Sequence, residues 1–344
     1  MKVALLTHTQ GAHMSAYFTA LAASPTCTEV ILGDPDAHWF PIAKPVLGDK
    51  LTRSYTNITK LLEQERPKLC MVSMEARHAP TVIEAALDHG SHVFAEKPAC
   101  TKPAQFRRLA NLADSKHLHL MLALANRTNP ETVAAARMIR QGQLGQLYGL
   151  DMHVIADQTR LRSKSYQSQW YADKDRAGGG HLAWLGIHWL DLAMMITGTR
   201  IESVAGFTTN IGGQPIQVED SATATLRFSN RMLGTLTSGY YLDKGYHTQI
   251  RIWGEKGWLN IDSVGSSKLT WYLSSGSRAG EIQSFQGAVE PRGYSPFVDA
   301  VITAIARDTQ PPIDTADSLH VIQCVYNIYR SATTGKTISN SDPH

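Results

Sequence analysis

Over its first third the chain alternates short apolar runs with helical stretches, and few folds accept that order. Residues 3–6 form an apolar run that leads through a turn into a helix over Met14–Ala23. Residues 29–32 end in the turn Gly33-Asp34-Pro35-Asp36, and residues 69–72 lead into a helix over 80–89. His92–Ala95 precedes a helix over Pro103–Ser115, and 119–125 closes the series. Pro80 in a first turn and Gly90 just past a last turn fit the usual asymmetry of helix ends. A strand returning parallel to its neighbour needs a helical crossover, so the order predicts a doubly wound, parallel Rossmann-type sheet.

Past residue 125 the pattern changes. A helix over 130–141 and a long strand over 146–156 precede an irregular stretch to Gly180. An apolar helix over 182–196 follows, then strands at 201–208, Ser221–Phe228, 232–240, 248–253, 258–261 and Leu269–Leu273. Helices over 296–307 and Thr315–Thr334 come last. The expected organisation is a Rossmann domain over 1–125 and an α+β domain over 126–344 with a large open, mostly antiparallel sheet. A content of 43% hydrophobic and 18% charged residues supports buried cores rather than disorder. No apolar run is long enough for a membrane span, and polar Thr7 interrupts any signal-peptide core, so a cytoplasmic protein is expected. The four cysteines are too widely spaced for a zinc site or a disulfide framework, and no metal is expected. A net charge of +3 without a long basic run gives no support to nucleic-acid binding.

The first βα turn reads Thr7-His8-Thr9-Gln10-Gly11-Ala12, where a dinucleotide fold places G-x-G-x-x-G/A. Only Ala12 fits that fingerprint. Strand, turn and helix nevertheless stand in the right order, and Thr9, Gln10, Gly11 and Ala12 can offer donors to a pyrophosphate. On this turn alone, an α/β domain without a dinucleotide stays open. Asp34, after the second strand, suits adenosine ribose hydroxyls and would repel a 2′-phosphate. No Arg or Lys lies between Asp34 and Ile42, which favours NAD over NADP. Gly-Asp-Pro-Asp is also an ordinary turn sequence.

Glu96-Lys97-Pro98 follows the strand 93–95, and Gly178-Gly179-Gly180 precedes Leu185-Gly186-Ile187-His188-Trp189-Leu190-Asp191. Together these resemble the glucose–fructose oxidoreductase/inositol dehydrogenase/rhizopine-catabolism (Gfo/Idh/MocA) family over nearly the whole chain. Ser73-Met74-Glu75-Ala76-Arg77-His78 resembles the family's Thr-Pro-x-x-x-His turn, and 218–222 and 329–332 resemble further family segments. The resemblance implies NAD-dependent chemistry at a sugar, cyclitol or polyol carbon. It assigns Ser73, Met74, His78, Glu96 and Lys97 to the cofactor side and Arg127 to the substrate. It also implies that Lys97 lies near the reacting hydroxyl and that His188 exchanges its proton. Relatives often pair their open sheets, so a homodimer or homotetramer through the second domain is expected.

Chemistry fits that division of labour. An imidazole near neutral pKa suits removal of a hydroxyl proton, and an ammonium stabilises developing alkoxide charge. On a regular helix Trp184, His188 and Asp191 share one stripe at i, i+4 and i+7. Asp191 is then placed to orient His188 or to bind a substrate hydroxyl, and Trp184 to pack against a sugar ring. Many relatives carry aspartate where this chain has Trp184. The loop Arg160-Leu161-Arg162-Ser163-Lys164 can reach an anionic substituent. Two other readings stand beside a dehydrogenase: a redox-neutral, NAD-dependent glycosidase or lyase, and a non-catalytic sugar- or nucleotide-binding protein.

Overall fold

The computed structural model describes residues 1–341 and contains two compact units. The first comprises Met1–Thr128, Asp175–Gly178 and Arg292–Leu319. It runs β1 (Lys2–Thr7), α1 (Met14–Ala23), β2 (Glu29–Gly33), α2 (Phe40–Leu47), β3 (Leu51–Tyr55) and α3 (Ile58–Glu65). Then come β4 (Leu69–Ser73), α4 (Ala79–Asp88), β5 (His92–Ala95), α5 (Pro103–Ser115) and β6 (Leu120–Leu122). The six strands are all parallel in the order β3-β2-β1-β4-β5-β6, the doubly wound Rossmann arrangement. Val3, Ala4, Leu5 and Leu6 are 0% exposed, as a central strand covered on both faces requires.

Three elements of this unit escape the sequence reading. β3 is a polar edge strand whose middle residues are exposed, and α2 carries two prolines in eight residues. α3 is short and mostly polar, with Ile58, Leu61 and Leu62 as its apolar residues, so it leaves little periodic signal. It is anchored by Asn57, whose side chain accepts the Lys60 N–H.

The compact units also differ from a division at 125/126. The boundary falls after Thr128, and 292–319 belongs to the first unit. The cause is the apolar face of the helix Tyr294–Arg307, which buries Phe297, Val298, Val301, Ile302 and Ile305. That helix packs on α1, where Ser24 donates to Asp299 at 2.5 Å, and Phe297 meets Phe94 at 5.9 Å. Thr315 and Ser318 accept the outward N–H groups of Leu120 and Leu122 through their hydroxyls, closing the β6 edge. Of the expected 126–344 domain, 342–344 lie outside the described residues.

The second unit holds α6 (Pro130–Arg140), β7 (Leu147–Asp157) and the helix Ile187–Thr197. Its strands continue as β8 (Ile201–Thr209), β9 (Ser221–Phe228), β10 (Leu233–Leu242), β11 (Tyr246–Gly254) and β12 (Gly257–Asp262). β13 (Leu269–Leu273), β14 (Ile282–Ser284) and β15 (Ile338–Ser339) complete them. The nine-stranded sheet has the order β14-β13-β12-β11-β7-β10-β9-β8-β15, and only β7 with β10 is parallel. Alternating burial along β9 and β10 shows one face packed and one turned outward. All four cysteines are buried free thiols. No helix among the described residues is long and apolar enough to cross a membrane.

Candidate active site

In the first unit the strand order reverses between β1 and β4, where an open α/β sheet leaves its ligand crevice. The candidate cofactor segments follow the carboxyl ends of strands β1, β2, β4 and β5. Thr7 and Ser73 are register partners, and the Thr7 hydroxyl donates to the Ser73 carbonyl at 2.8 Å. The Ser73 hydroxyl in turn donates to the Ala12 carbonyl at 2.6 Å. A Cβ on Gly11 would stand 2.1 Å from Thr7 Oγ1 and 2.9 Å from the Ser73 carbonyl oxygen. Gly11 therefore does what a fingerprint glycine does, letting helix, turn and strand approach closely. The turn fits a dinucleotide through its backbone despite its departures in sequence.

Asp34 is 0% exposed, and its carboxylate accepts the N–H groups of Asp36 at 3.0 Å and Trp39 at 2.9 Å. Asp36 is exposed and accepts both the N–H and the hydroxyl of Thr9, which hold its carboxyl below the usual range. Trp39 Nε1 donates to the His8 carbonyl, a second tie between the β1 and β2 turns. The β4 turn has a brace that the sequence reading missed. Glu75 is buried and pairs with Arg176, Arg77 and His78, while Gln10 accepts from Arg176 at 2.6 Å. Burial alone would raise the Glu75 carboxyl, but these cations more than offset it and hold it below its ordinary value. Met74 is buried in the same turn, and His78 stands exposed at its end.

Lys97 and Glu96 are each 1% exposed. The Glu96 carboxylate accepts from Tyr17, from Tyr294 at 3.2 Å and from the Lys97 N–H at 3.1 Å, with Lys97 Nζ at 3.8 Å. Burial pushes the Lys97 ammonium down to about 8, with Glu96 opposing the shift. A lysine so placed exchanges protons near neutrality. Arg127 is buried and donates to the Pro312 carbonyl and to Asp317, each at 3.0 Å.

In the second unit the expected helix over 182–196 is not one regular α-helix. Leu182–Gly186 forms a π turn, and the α-helix proper is Ile187–Thr197. The wider turn changes the angular spacing between Trp184 and the residues of the α-helix that follows. Its indole packs against Trp170 at 5.4 Å and Tyr171 at 5.3 Å. His188 is half-buried in the first turn of the α-helix, and Asp191, 1% exposed, lies three residues on.

The π turn is held by Glu219 and Tyr329, a pair that periodicity cannot reveal. Glu219 accepts the N–H groups of Gly180 at 2.7 Å and Leu182 at 2.9 Å and the Tyr329 hydroxyl at 2.8 Å. That hydroxyl also accepts the Ala183 N–H at 3.2 Å. Burial pushes the Glu219 carboxyl up against these donors. The glycines are explained by the same clamp. A Cβ on Gly179 would lie 2.3 Å from the Tyr329 hydroxyl, and one on Gly180 would lie 2.0 Å from the Glu219 carbonyl oxygen.

Comparison with known proteins gives two family-model matches. Residues 43–124 match "Oxidoreductase family, NAD-binding Rossmann fold", and 132–260 match "GFO/IDH/MocA C-terminal domain". NAD is thus the cofactor of the first unit. An uncharacterized oxidoreductase of Schizosaccharomyces pombe is 31% identical over 166 residues, covering 48% of this chain and 44% of that protein. This chain therefore spans about half the length of that relative. D-glucoside 3-dehydrogenase of Escherichia coli is 25% identical over 275 residues, 74% of each chain. A solved levoglucosan dehydrogenase, in complex with NADH and L-sorbose, shares the fold with a TM-score of 0.86 at 16% identity, covering 100% of both chains.

Proposed function

Because the chain belongs to the Gfo/Idh/MocA oxidoreductase family, we propose that it is an NAD-dependent dehydrogenase acting on a hydroxyl or keto carbon of a sugar, cyclitol or sugar derivative. The observation that carries this reading is Lys97, a fully buried lysine at the carboxyl end of β5 whose ammonium is pushed down to about 8. In this reading the first unit holds NAD and the second binds substrate. NAD, held by the turns after β1, β2 and β4, supplies the acceptor or donor for the hydride. Lys97 stabilises negative charge on the carbinol oxygen and can pass on its proton. His188 takes the hydroxyl proton, and Asp191 serves to orient it or to bind a second hydroxyl.

The outward sheet face carries Phe207, 78% exposed, and Leu233, 55% exposed, which supports assembly through that face into a dimer or tetramer. D-glucoside 3-dehydrogenase and myo-inositol dehydrogenase among the relatives favour net oxidation over the redox-neutral alternative.

The test is NADH formation with a panel of sugars and cyclitols. Lys97→Ala and His188→Ala should each lose roughly 10²–10⁴ in rate, the usual worth of a positioned acid or base. NAD titration of His188→Ala should match wild type. Near wild-type turnover in either variant would remove that residue from the mechanism. Glycoside cleavage without net NADH would replace the dehydrogenase reading with the redox-neutral one.

A further inference from the structure

The loop after β7 carries an arginine that the reaction above does not use. Arg160 is half-buried, with its guanidinium carbon 5.7 Å from the Tyr240 ring centre and 5.4 Å from that of Tyr246. One Nη2–H donates to the Tyr246 hydroxyl at 3.1 Å. Among the described residues this is the one protein acceptor for its side-chain donors, and no carboxylate pairs with it. Asp157, the nearest acid in sequence, has its Oδ1 occupied by the N–H and hydroxyl of Thr159. Burial disfavours this half-buried cation, and the Tyr246 hydroxyl, the two rings and the charge of Asp157, with which it forms no direct ion pair, together offset that cost while most of its N–H donors stay unused. What the rings do achieve is to fix the plane of a fork that matches an oxyanion.

An independent observation lies against the same tyrosine. The His181 ring meets Tyr240 edge-on at 4.3 Å and is 0% exposed. Its Nδ1 is 2.7 Å from Ser238 Oγ, whereas the buried Nε2 has no hydrogen-bond partner among the described residues. With Nδ1 accepting the Ser238 proton, Nε2–H is a donor left for a ligand. From Tyr240 an aromatic row leads back toward the π turn. Tyr166 and Tyr240 share a hydroxyl contact of 3.1 Å, Tyr166 meets Tyr171 at 4.8 Å, and Tyr171 meets Trp184 at 5.3 Å.

We infer that this cluster is a subsite for an oxyanion carried by the substrate, with Arg160 as its recognition group and the row Trp184–Tyr171–Tyr166 as the floor beneath the sugar. The inference rests on the sugar reading proposed above and narrows it to acidic sugars, bearing a carboxylate or a phosphate ester.

Calorimetric titration of the full chain with NADH, at pH 7, tests it with matched sets: methyl glucoside, methyl glucuronide and glucose 6-phosphate, and their galacto and manno counterparts. In at least one configuration the acidic sugar should bind roughly ten- to a hundredfold tighter than the neutral one, the worth of a charge-assisted hydrogen bond. Whether uronate or phosphate gains identifies the oxyanion. Arg160→Met should abolish the preference and leave neutral-sugar affinity within about threefold, while Arg160→Lys should retain part of it. Equal binding of neutral and acidic sugars overturns the subsite and leaves the sugar reading standing, and it needs no variant. A preference that survives in folded Arg160→Met overturns it too. If no sugar of any set binds, the sugar reading falls and the subsite with it.

Discussion

Gly180 has room for a hydrogen and nothing larger, because the Glu219 carbonyl oxygen would lie 2.0 Å from any Cβ. Gly180→Ala should therefore cost about 2–4 kcal/mol, the scale of forced overpacking combined with loss of a buried hydrogen-bond network, as read by urea unfolding. His181 sets a different dependence. Burial, and secondarily Arg160, push its pKa down to about 3, against 6.5 for an ordinary histidine. Between those values the unfolded chain takes up a proton that the folded chain refuses, so stability falls as pH drops from about 6.5 toward 3. His92, pushed down to about 4 by burial and His119, acts in the same direction. Calorimetry should show the melting temperature falling between pH 6.5 and 5, less steeply in His181→Gln. Lys97 and His188 stand out in the sequence because each sits in a short local motif. Glu219 and Tyr329 do not, since their bond joins residues separated by 110 positions and leaves no local trace.

Among elements, the π turn Leu182–Gly186 directly precedes the helical turn that carries His188. A π turn amounts to one residue inserted into an α-helix, so deleting Leu185 should restore a continuous α-helix and rotate Trp184 relative to His188. Such a variant should keep its far-UV circular dichroism but lose at least roughly a hundredfold in turnover, since displacement of about 1 Å at a reacting group has that effect. Retained turnover would show that the register of this turn does not matter to the site. Apolar periodicity could not distinguish the two helices, because both bury nearly every residue here and differ by less than one residue per turn. β9 and β10, by contrast, were readable because inward and outward residues alternate along them. β3 was hidden by its polar, exposed edge.

For the whole molecule, the fold class followed from the order of strands and helices, but the return of 292–319 to the first unit did not. A sequence shows which face of Tyr294–Arg307 is apolar, not which neighbour covers it. Expressed alone, residues 1–128 should leave the apolar side of α1 uncovered, bind a hydrophobic dye and exchange α1 amides rapidly. Joining 292–319 to that fragment through a flexible linker should restore protection in hydrogen-exchange measurements. During synthesis the same division imposes a delay. The ribosome finishes residue 128 well before residue 292, an interval of roughly ten to thirty seconds at ordinary translation rates. Throughout that interval the nascent sheet carries an open apolar flank, and α1 gains its cover only once the helix Tyr294–Arg307 has been made.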